Sequence, residues 1–171
     1  MFYAAYGSNL HPMRLVERLP SARLCGSSEL EGWGLRFHKR GQDGSSKCNM
    51  IPASETLYVA IYEINPAEKV YLDEAEGLGN GYQEKAISVP NFGTCFVYVA
   101  QDSHIDTNLR PFSWYKELVI LGCLHHGFPA DYVHAIQRIA PVQDHDIERH
   151  KRGMDLVRKI RYLSPPLRKG E

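Results

Sequence analysis

The chain has 171 residues, a length that suits a single domain and is sufficient to bury a hydrophobic core. Its formal net charge at pH 7 is zero, which argues against a protein dedicated to binding nucleic acid. No apolar stretch approaches the roughly 20 residues that cross a bilayer, and no basic segment followed by an apolar run marks a signal peptide. The composition therefore predicts a cytoplasmic protein with no membrane partner.

The first predicted element is a buried strand over residues 2–6, which stops at the turn residues Gly7, Ser8 and Asn9. Pro12 suits the first turn of a helix, and the apolar spacing after it is helical. A tight polar loop between a strand and a helix leaves backbone N–H groups pointing outward. Such a loop is a favourable place for an anion or an oxyanion.

Two strands are predicted over residues 33–38 and 57–64, which are rich in β-branched and aromatic residues. Residues 41–50 between them are polar and rich in Gly and Ser, which predicts a mobile loop. A helix then begins with Asn65 as N-cap, Pro66 at the first position and Glu68 in the capping-box position. It is expected to end at Gly77.

The remaining pattern changes from strands to helices. Residues 82–89 and 94–100 predict a hairpin, and helices are predicted over residues 112–125, 129–139 and 144–160. The tail at residues 163–167 contains two prolines and is not expected to continue a helix. A β-rich first two thirds followed by a helical last third predicts one α+β unit.

Two carboxylates mark the end of the helix that precedes Gly77. Asp73 and Glu76 are three residues apart and share a helix face, and Glu76 lies in the last turn, where the helix dipole disfavours negative charge. Both effects favour protonation of Glu76, and a carboxyl that exchanges a proton near neutral pH suits general acid–base catalysis. An ordinary solvated acidic helix end is the alternative interpretation.

Tyrosine is frequent, with ten residues in the chain. Tyr6, Tyr82, Tyr98 and Tyr115 fall near the polar loop, the acidic helix end and the last strand. Each of them also suits an ordinary core position with its hydroxyl at the surface. Tyr82 follows a Gly-rich turn that could fold it back over Glu76.

Metal and redox sites are not predicted. The four cysteines are scattered and form no CxxC pair, which favours reduced thiols. His125 and His126 could join His134 at a metal ion, but adjacent histidines on a helix point in different directions. A Ser8 nucleophile would need a positioned base, which neither His11 nor His38 supplies in a recognisable triad context.

Three motifs occur in an order that resembles the γ-glutamylcyclotransferase-like family. The first is Tyr-Gly-Ser-Asn-Leu after the first strand, and the second is Leu-Asp-Glu-x-Glu-Gly followed by a tyrosine. The third runs over residues 111–132, where Gly-Phe-Pro stands in place of the family's usual Gly-Leu-Pro. Together they cover residues 2 to about 140.

The resemblance implies a small mixed β-barrel with surrounding helices in a domain at residues 1–140. A C-terminal helix and tail at residues 141–171 are expected to pack on the same domain. It also implies that Glu76 is the catalytic acid/base. The residues implied to contact a small γ-glutamyl substrate are Tyr6, Gly7, Ser8, Asn9, Leu10, Tyr82, Tyr98 and Tyr115.

In the family reaction the α-amine of a γ-glutamyl group attacks its own γ-carbonyl, which yields 5-oxoproline and a free amine or amino acid. No metal or other cofactor is expected. The expected substrates are small γ-glutamyl amino acids, with glutathione and γ-glutamylamines as alternatives. The oligomeric state is left as a monomer or a homodimer.

Two other functions fit parts of the sequence. A catalytically inactive member of the same fold would bind a small ligand or a protein, although the presence of Glu76 speaks against this. The basic run at residues 149–152 could bind nucleic acid or another anionic surface, in which case binding would weaken steeply with added salt. Such a run is more often a solvated helix face.

Overall fold

The structure is a computed structural model that describes residues 1–163, and it confirms an α+β fold. Five strands are present: β1 (Phe2–Ala5), β2 (Arg23–Arg40), β3 (Ser46–Glu63), β4 (Tyr82–Val89) and β5 (Gly93–Ala100). Five α-helices accompany them: α1 (Pro12–Val16), α2 (Lys69–Glu76), α3 (Ser113–His125), α4 (Ala130–Gln137) and α5 (Ile147–Leu163). The tail at residues 163–167 was not expected to be helical, but Leu163 is the last residue of α5, and residues 164–167 lie outside the described residues.

The strands form one sheet in the order β2-β3-β1-β5-β4. The short β1 is central, antiparallel to β3 and parallel to β5, while β4 and β5 form the predicted antiparallel hairpin. Because β2 and β4 lie at the two edges, the sheet is not closed, so the expected barrel describes it only loosely. The loop after β1 therefore emerges from the middle of the sheet.

The long hairpin of β2 and β3 corrects the expected loop at residues 41–50. Only residues 41–45 form a turn, whereas Ser46 onward extends β3 and pairs with the end of β2. Each strand has 18 residues, and the register shifts at three places, the last between Phe37 and Lys39. Such irregularities bend a strand and redirect side chains.

The helix that carries Glu76 forms largely as expected from its ends. The Asn65 side chain accepts a hydrogen bond from the Ala67 N–H at 3.0 Å and caps a 3-10 turn that leads into α2. Gly77 ends α2 in the left-handed conformation, with φ at 72°. Glu68 does not close a capping box; its carboxylate accepts a hydrogen bond from the Ser21 hydroxyl instead.

Helix α3 packs against the turn that follows β1. Leu118, Val119 and Cys123 are fully buried on its inner face. Gly122 lies so close to this turn that a Cβ atom there would be 2.3 Å from the Cβ of Leu10. The close packing fixes the position of the turn against the core.

Helix α5 begins later than expected, at Ile147 rather than at residue 144. Asp144 accepts hydrogen bonds from Trp114 Nε1 and from two nitrogens of Arg149, so its carboxylate links α5 to α3. The Arg149 guanidinium holds the pKa of Asp144 well below its usual range. No helix within residues 1–163 is both long enough and apolar enough to cross a lipid bilayer.

Candidate active site

The N-terminal loop, residues 6–10, connects β1 to α1 through a 3-10 turn at Ser8–Leu10. The Leu10 N–H donates to the Gly7 carbonyl at 3.0 Å, which closes the turn. Leu10 itself is fully buried, and its carbonyl oxygen lies 2.7 Å from both the Tyr62 hydroxyl and Nε2 of His126. Leu10 therefore anchors the loop in the core, and its side chain lies away from the cavity described below.

Glu76 is bound to the loop through one of its two carboxylate oxygens. Its Oε1 accepts a hydrogen bond from Asn9 Nδ2 at 2.9 Å and lies 2.5 Å from Nη1 of Arg18. The same Arg18 nitrogen donates to Asn9 Oδ1 at 3.2 Å, so the three side chains form a closed triangle. Within residues 1–163, no group donates a hydrogen bond to Glu76 Oε2.

Asp73 does not act on Glu76 in the way that the sequence suggests. Its Oδ1 lies 2.6 Å from Lys69 Nζ and accepts a hydrogen bond from the Tyr98 hydroxyl at 2.5 Å. Each carboxylate thus has its own cation, Lys69 for Asp73 and Arg18 for Glu76. Separate ion pairs replace the mutual repulsion that was expected between the two acids.

A small cavity of about 20 Å³, here named the recess, lies under the loop beside Glu76. This volume has room for one small group, about the size of a water molecule or a carbonyl oxygen. Its walls include every residue expected to contact substrate except Leu10, and they add two that were not expected. The lining residues are Tyr3, Tyr6, Gly7, Ser8, Asn9, Cys48, Glu76, Tyr82, Tyr98 and Tyr115.

The tyrosine hydroxyls of the recess mostly bind the protein. Tyr6 donates to the Tyr98 carbonyl and Tyr82 to the Cys48 carbonyl, both at 2.5 Å. Tyr115 differs, because its hydroxyl accepts the Cys48 N–H at 3.0 Å. Burial raises the pKa of all four expected tyrosines well above the usual phenol value, so they stay neutral. The recess is thus lined by neutral, hydrogen-bonded tyrosines, and Glu76 is the one carboxylate in its lining.

A larger, open cavity of about 250 Å³, here named the outer cleft, continues from the recess toward solvent. Ser8, Glu76, Tyr82 and Tyr115 line both cavities, so Glu76 stands where they meet. The turn at residues 41–45 forms part of the cleft rim. The other charged residues that line the cleft are Arg14, Arg18, Lys39, Asp43, Lys47 and Glu74.

Sequence reasoning missed Arg18, Tyr3, Cys48 and Lys39 at this site. The spacing of Arg14 and Arg18, four residues apart after the polar loop, was the only local signal for any of them. Within residues 1–163 there is no group of three or more His, Cys, Asp or Glu side chains that could hold a metal ion. His125 packs instead against His11 and against His126, at ring centroid distances of 4.6 and 5.0 Å.

Comparisons with known proteins agree with the motifs. The sequence model of the AIG2-like family matches residues 56–136. A mouse protein named γ-glutamylcyclotransferase is 28% identical over 151 residues, covering 81% of this chain and 78% of the mouse protein. The human protein of the same name is 27% identical over 149 residues, with the same two coverages.

The fold is also that of a solved structure named γ-glutamyl cyclotransferase. The two superpose with a TM-score of 0.80 at 24% sequence identity, covering 93% of this chain and 98% of the other. The family model, the two relatives, the fold and the order of the motifs therefore agree with one another. These findings confirm the resemblance of the chain to the γ-glutamylcyclotransferase-like family.

Proposed function

We propose that this protein is a cyclotransferase that converts a γ-glutamyl group to 5-oxoproline and releases an amino acid or amine. The observation that supports it most is the environment of Glu76. Oε1 is held by Asn9 and Arg18, while Oε2 has no donor within residues 1–163 and stands between recess and cleft. A carboxylate fixed through one oxygen is able to move protons with the other.

Glu76 acts as the general acid/base in this proposal. The α-ammonium of the substrate must lose a proton before its nitrogen can attack the γ-carbonyl carbon and form the new C–N bond. In all, the attacking nitrogen loses two protons, and the leaving nitrogen gains two as the old amide C–N bond breaks. Glu76 passes these protons one at a time, which explains the need for a single, firmly positioned carboxylate.

The recess receives the γ-carbonyl oxygen, which becomes an oxyanion in the tetrahedral intermediate. The N–H groups of Ser8 and Asn9 stand at the start of a 3-10 turn, where backbone N–H groups lack acceptors within the turn. Fixed donors of this kind stabilise developing negative charge, and loss of one costs about 3 kcal/mol of barrier, or roughly a hundredfold in rate. The neutral tyrosine walls exclude water and strengthen this effect.

The remainder of the substrate occupies the outer cleft. The recess holds too little volume for a whole γ-glutamyl group, whereas the cleft is more than ten times larger. Residues of the loop and Tyr82, Tyr98 and Tyr115 then contact the reacting end of the substrate, and the leaving group extends past Glu76 toward the turn at residues 41–45.

The test is to incubate the purified protein with γ-glutamyl amino acids, γ-glutamyl-ε-lysine and glutathione, and to detect 5-oxoproline by mass spectrometry. We expect release from at least one of these compounds. Glu76→Gln is expected to reduce the turnover at least a thousandfold, because an amide cannot accept the proton. Its circular dichroism and melting temperature should stay close to those of the wild type, since glutamine keeps the shape and an oxygen acceptor for Asn9.

Two results would contradict this proposal. If no compound in the panel yields 5-oxoproline, a member of the fold that only binds its ligand is favoured. Full activity of the folded Glu76→Gln protein would leave the cyclisation in place but remove Glu76 from its mechanism.

A further inference from the structure

Not every charged side chain in the outer cleft has an ion-pair partner within residues 1–163. Arg18 pairs with Glu76 at 2.5 Å, and Lys47 pairs with Asp43 at 2.7 Å. Lys39, which lines the same cleft, has neither an ion pair nor a side-chain hydrogen bond to any residue within 1–163. The cleft therefore contains a lysine whose charge has no counterpart among residues 1–163.

Lys39 is nonetheless buried, with only 4% of its surface exposed. Its ammonium lies 4.4 Å from the centroid of the Tyr82 ring and packs over Gly81, where a Cβ atom would be 2.8 Å from Nζ. Burial lowers the pKa of Lys39, and the negative charge of Glu76 partly opposes this effect. The ammonium thus contacts an aromatic face but pairs with no carboxylate among residues 1–163.

The position of Lys39 follows from an irregularity in the pairing of β2 with β3. The pairing register between β2 and β3 shifts between Phe37 and Lys39, and Lys39 then pairs with Lys47 on β3. Irregularities of this kind redirect side chains and are frequent beside functional sites. Lys39 lines the outer cleft but not the recess.

We propose that Lys39 binds a carboxylate on the leaving group and so selects γ-glutamyl compounds whose released amine is an amino acid or peptide. The inference rests on the proposed cyclotransferase function. A substrate that places its γ-carbonyl at the recess extends its leaving group into the cleft that Lys39 lines. A carboxylate there would supply the anion that the buried ammonium lacks.

The experiment compares γ-glutamyl-alanine with γ-glutamyl-alaninamide, which differ only in that a neutral amide replaces the leaving-group carboxylate. The specificity constant kcat/KM is measured by following 5-oxoproline for the wild type, Lys39→Met and Lys39→Arg, with the exposed Lys85→Met as control. The wild type should prefer γ-glutamyl-alanine by roughly 10- to 100-fold, the usual range for a charged hydrogen bond. Lys39→Met should lose this preference by slowing the alanine compound alone.

The remaining outcomes separate the inference from the function on which it rests. Lys39→Arg should keep part of the preference, and Lys85→Met should keep all of it. Equal use of both compounds by the wild type, or an equal loss on both in Lys39→Met, would overturn the role of Lys39, because the lysine would then serve the glutamyl end or the fold. If neither these compounds nor the wider panel yields 5-oxoproline, the cyclotransferase function itself is overturned.

Discussion

The recess and the outer cleft adjoin at Glu76, yet their walls are of opposite character. The recess is small and formed by neutral tyrosines and loop residues, and its one charged group is held by Asn9 and Arg18. The cleft is more than ten times larger and carries charges of both signs. A rigid, uncharged wall suits a chemical step common to every γ-glutamyl compound, whereas a charged, open wall suits recognition of whatever is attached to it.

The comparison predicts that changes in the recess lower turnover for all substrates, while changes in the cleft alter the choice among them. Substitutions at three positions, Gly7, Arg18 and His11, test the two regions and their support, in order of decreasing effect.

Gly7→Val should have the largest effect. A Cβ atom at Gly7 would lie 3.1 Å from Cys48 Cβ and 3.4 Å from the Tyr115 hydroxyl, so a branched side chain would displace the loop. We expect kcat/KM to fall at least about a hundredfold for every γ-glutamyl substrate, as misplacement of reacting groups by about 1 Å does.

Gly7→Ala should give an intermediate loss, and Ala86→Val, on the exposed side of β4, should give none. Thermal unfolding of each variant shows whether the loss of rate comes from the loop alone. If Gly7→Val retains most of the activity, the loop is structural and the recess does not hold the reacting group.

Arg18→Met should have a smaller effect. It tests where the two regions meet, because Arg18 lines the cleft but binds Glu76. Loss of the guanidinium frees Glu76 Oε1 to move, so we expect kcat to fall roughly 10- to 100-fold with little change in KM. Arg18→Lys should recover part of kcat, since lysine keeps the charge but not the planar fork.

The matched control is Arg161→Met, which removes an exposed pair with Glu117. A rise in KM at unchanged kcat would instead assign Arg18 to substrate binding in the cleft. Arg18 would then not serve the chemical step through Glu76.

The smallest effect concerns the stability that His11 provides directly after the N-terminal loop. His11 Nδ1 accepts the Met13 N–H at 3.2 Å, which requires a neutral ring, and burial lowers the pKa of His11 from 6.5 to about 4. Between pH 7 and pH 5 the unfolded chain takes up a proton that the folded chain does not. The free energy of unfolding should therefore fall as the pH falls, by about 1–2 kcal/mol from this group.

His11→Asn keeps a helix-capping acceptor without a titratable ring. Urea unfolding at the two pH values should show a smaller decrease for this variant than for the wild type. Equal decreases would mean that other groups cause the acid sensitivity.

Much of the fold could be predicted because its signals are local. Asn65 and Gly77 end the helix of Glu76 as their cap preferences predict, and the hairpin of β4 and β5 follows from alternating composition around a turn. The loop predicted at residues 41–50 is too long, because the polar residues from Ser46 onward are recruited into β3 by pairing with β2. Strand propensity depends on such neighbours, which composition does not contain.

By itself, the sequence determined the strand, loop and helix around residues 6–10, the helix end at Glu76 and the resemblance to the γ-glutamylcyclotransferase-like family. Only the tertiary structure decided that Asn9 meets Glu76 across 67 residues of chain and that Asp73 pairs with Lys69. It also decided that Lys39 is buried in the cleft with no anionic partner among residues 1–163. The physical reason is that caps and turns depend on neighbours along the chain, whereas the partner of a charge depends on which distant elements pack beside it.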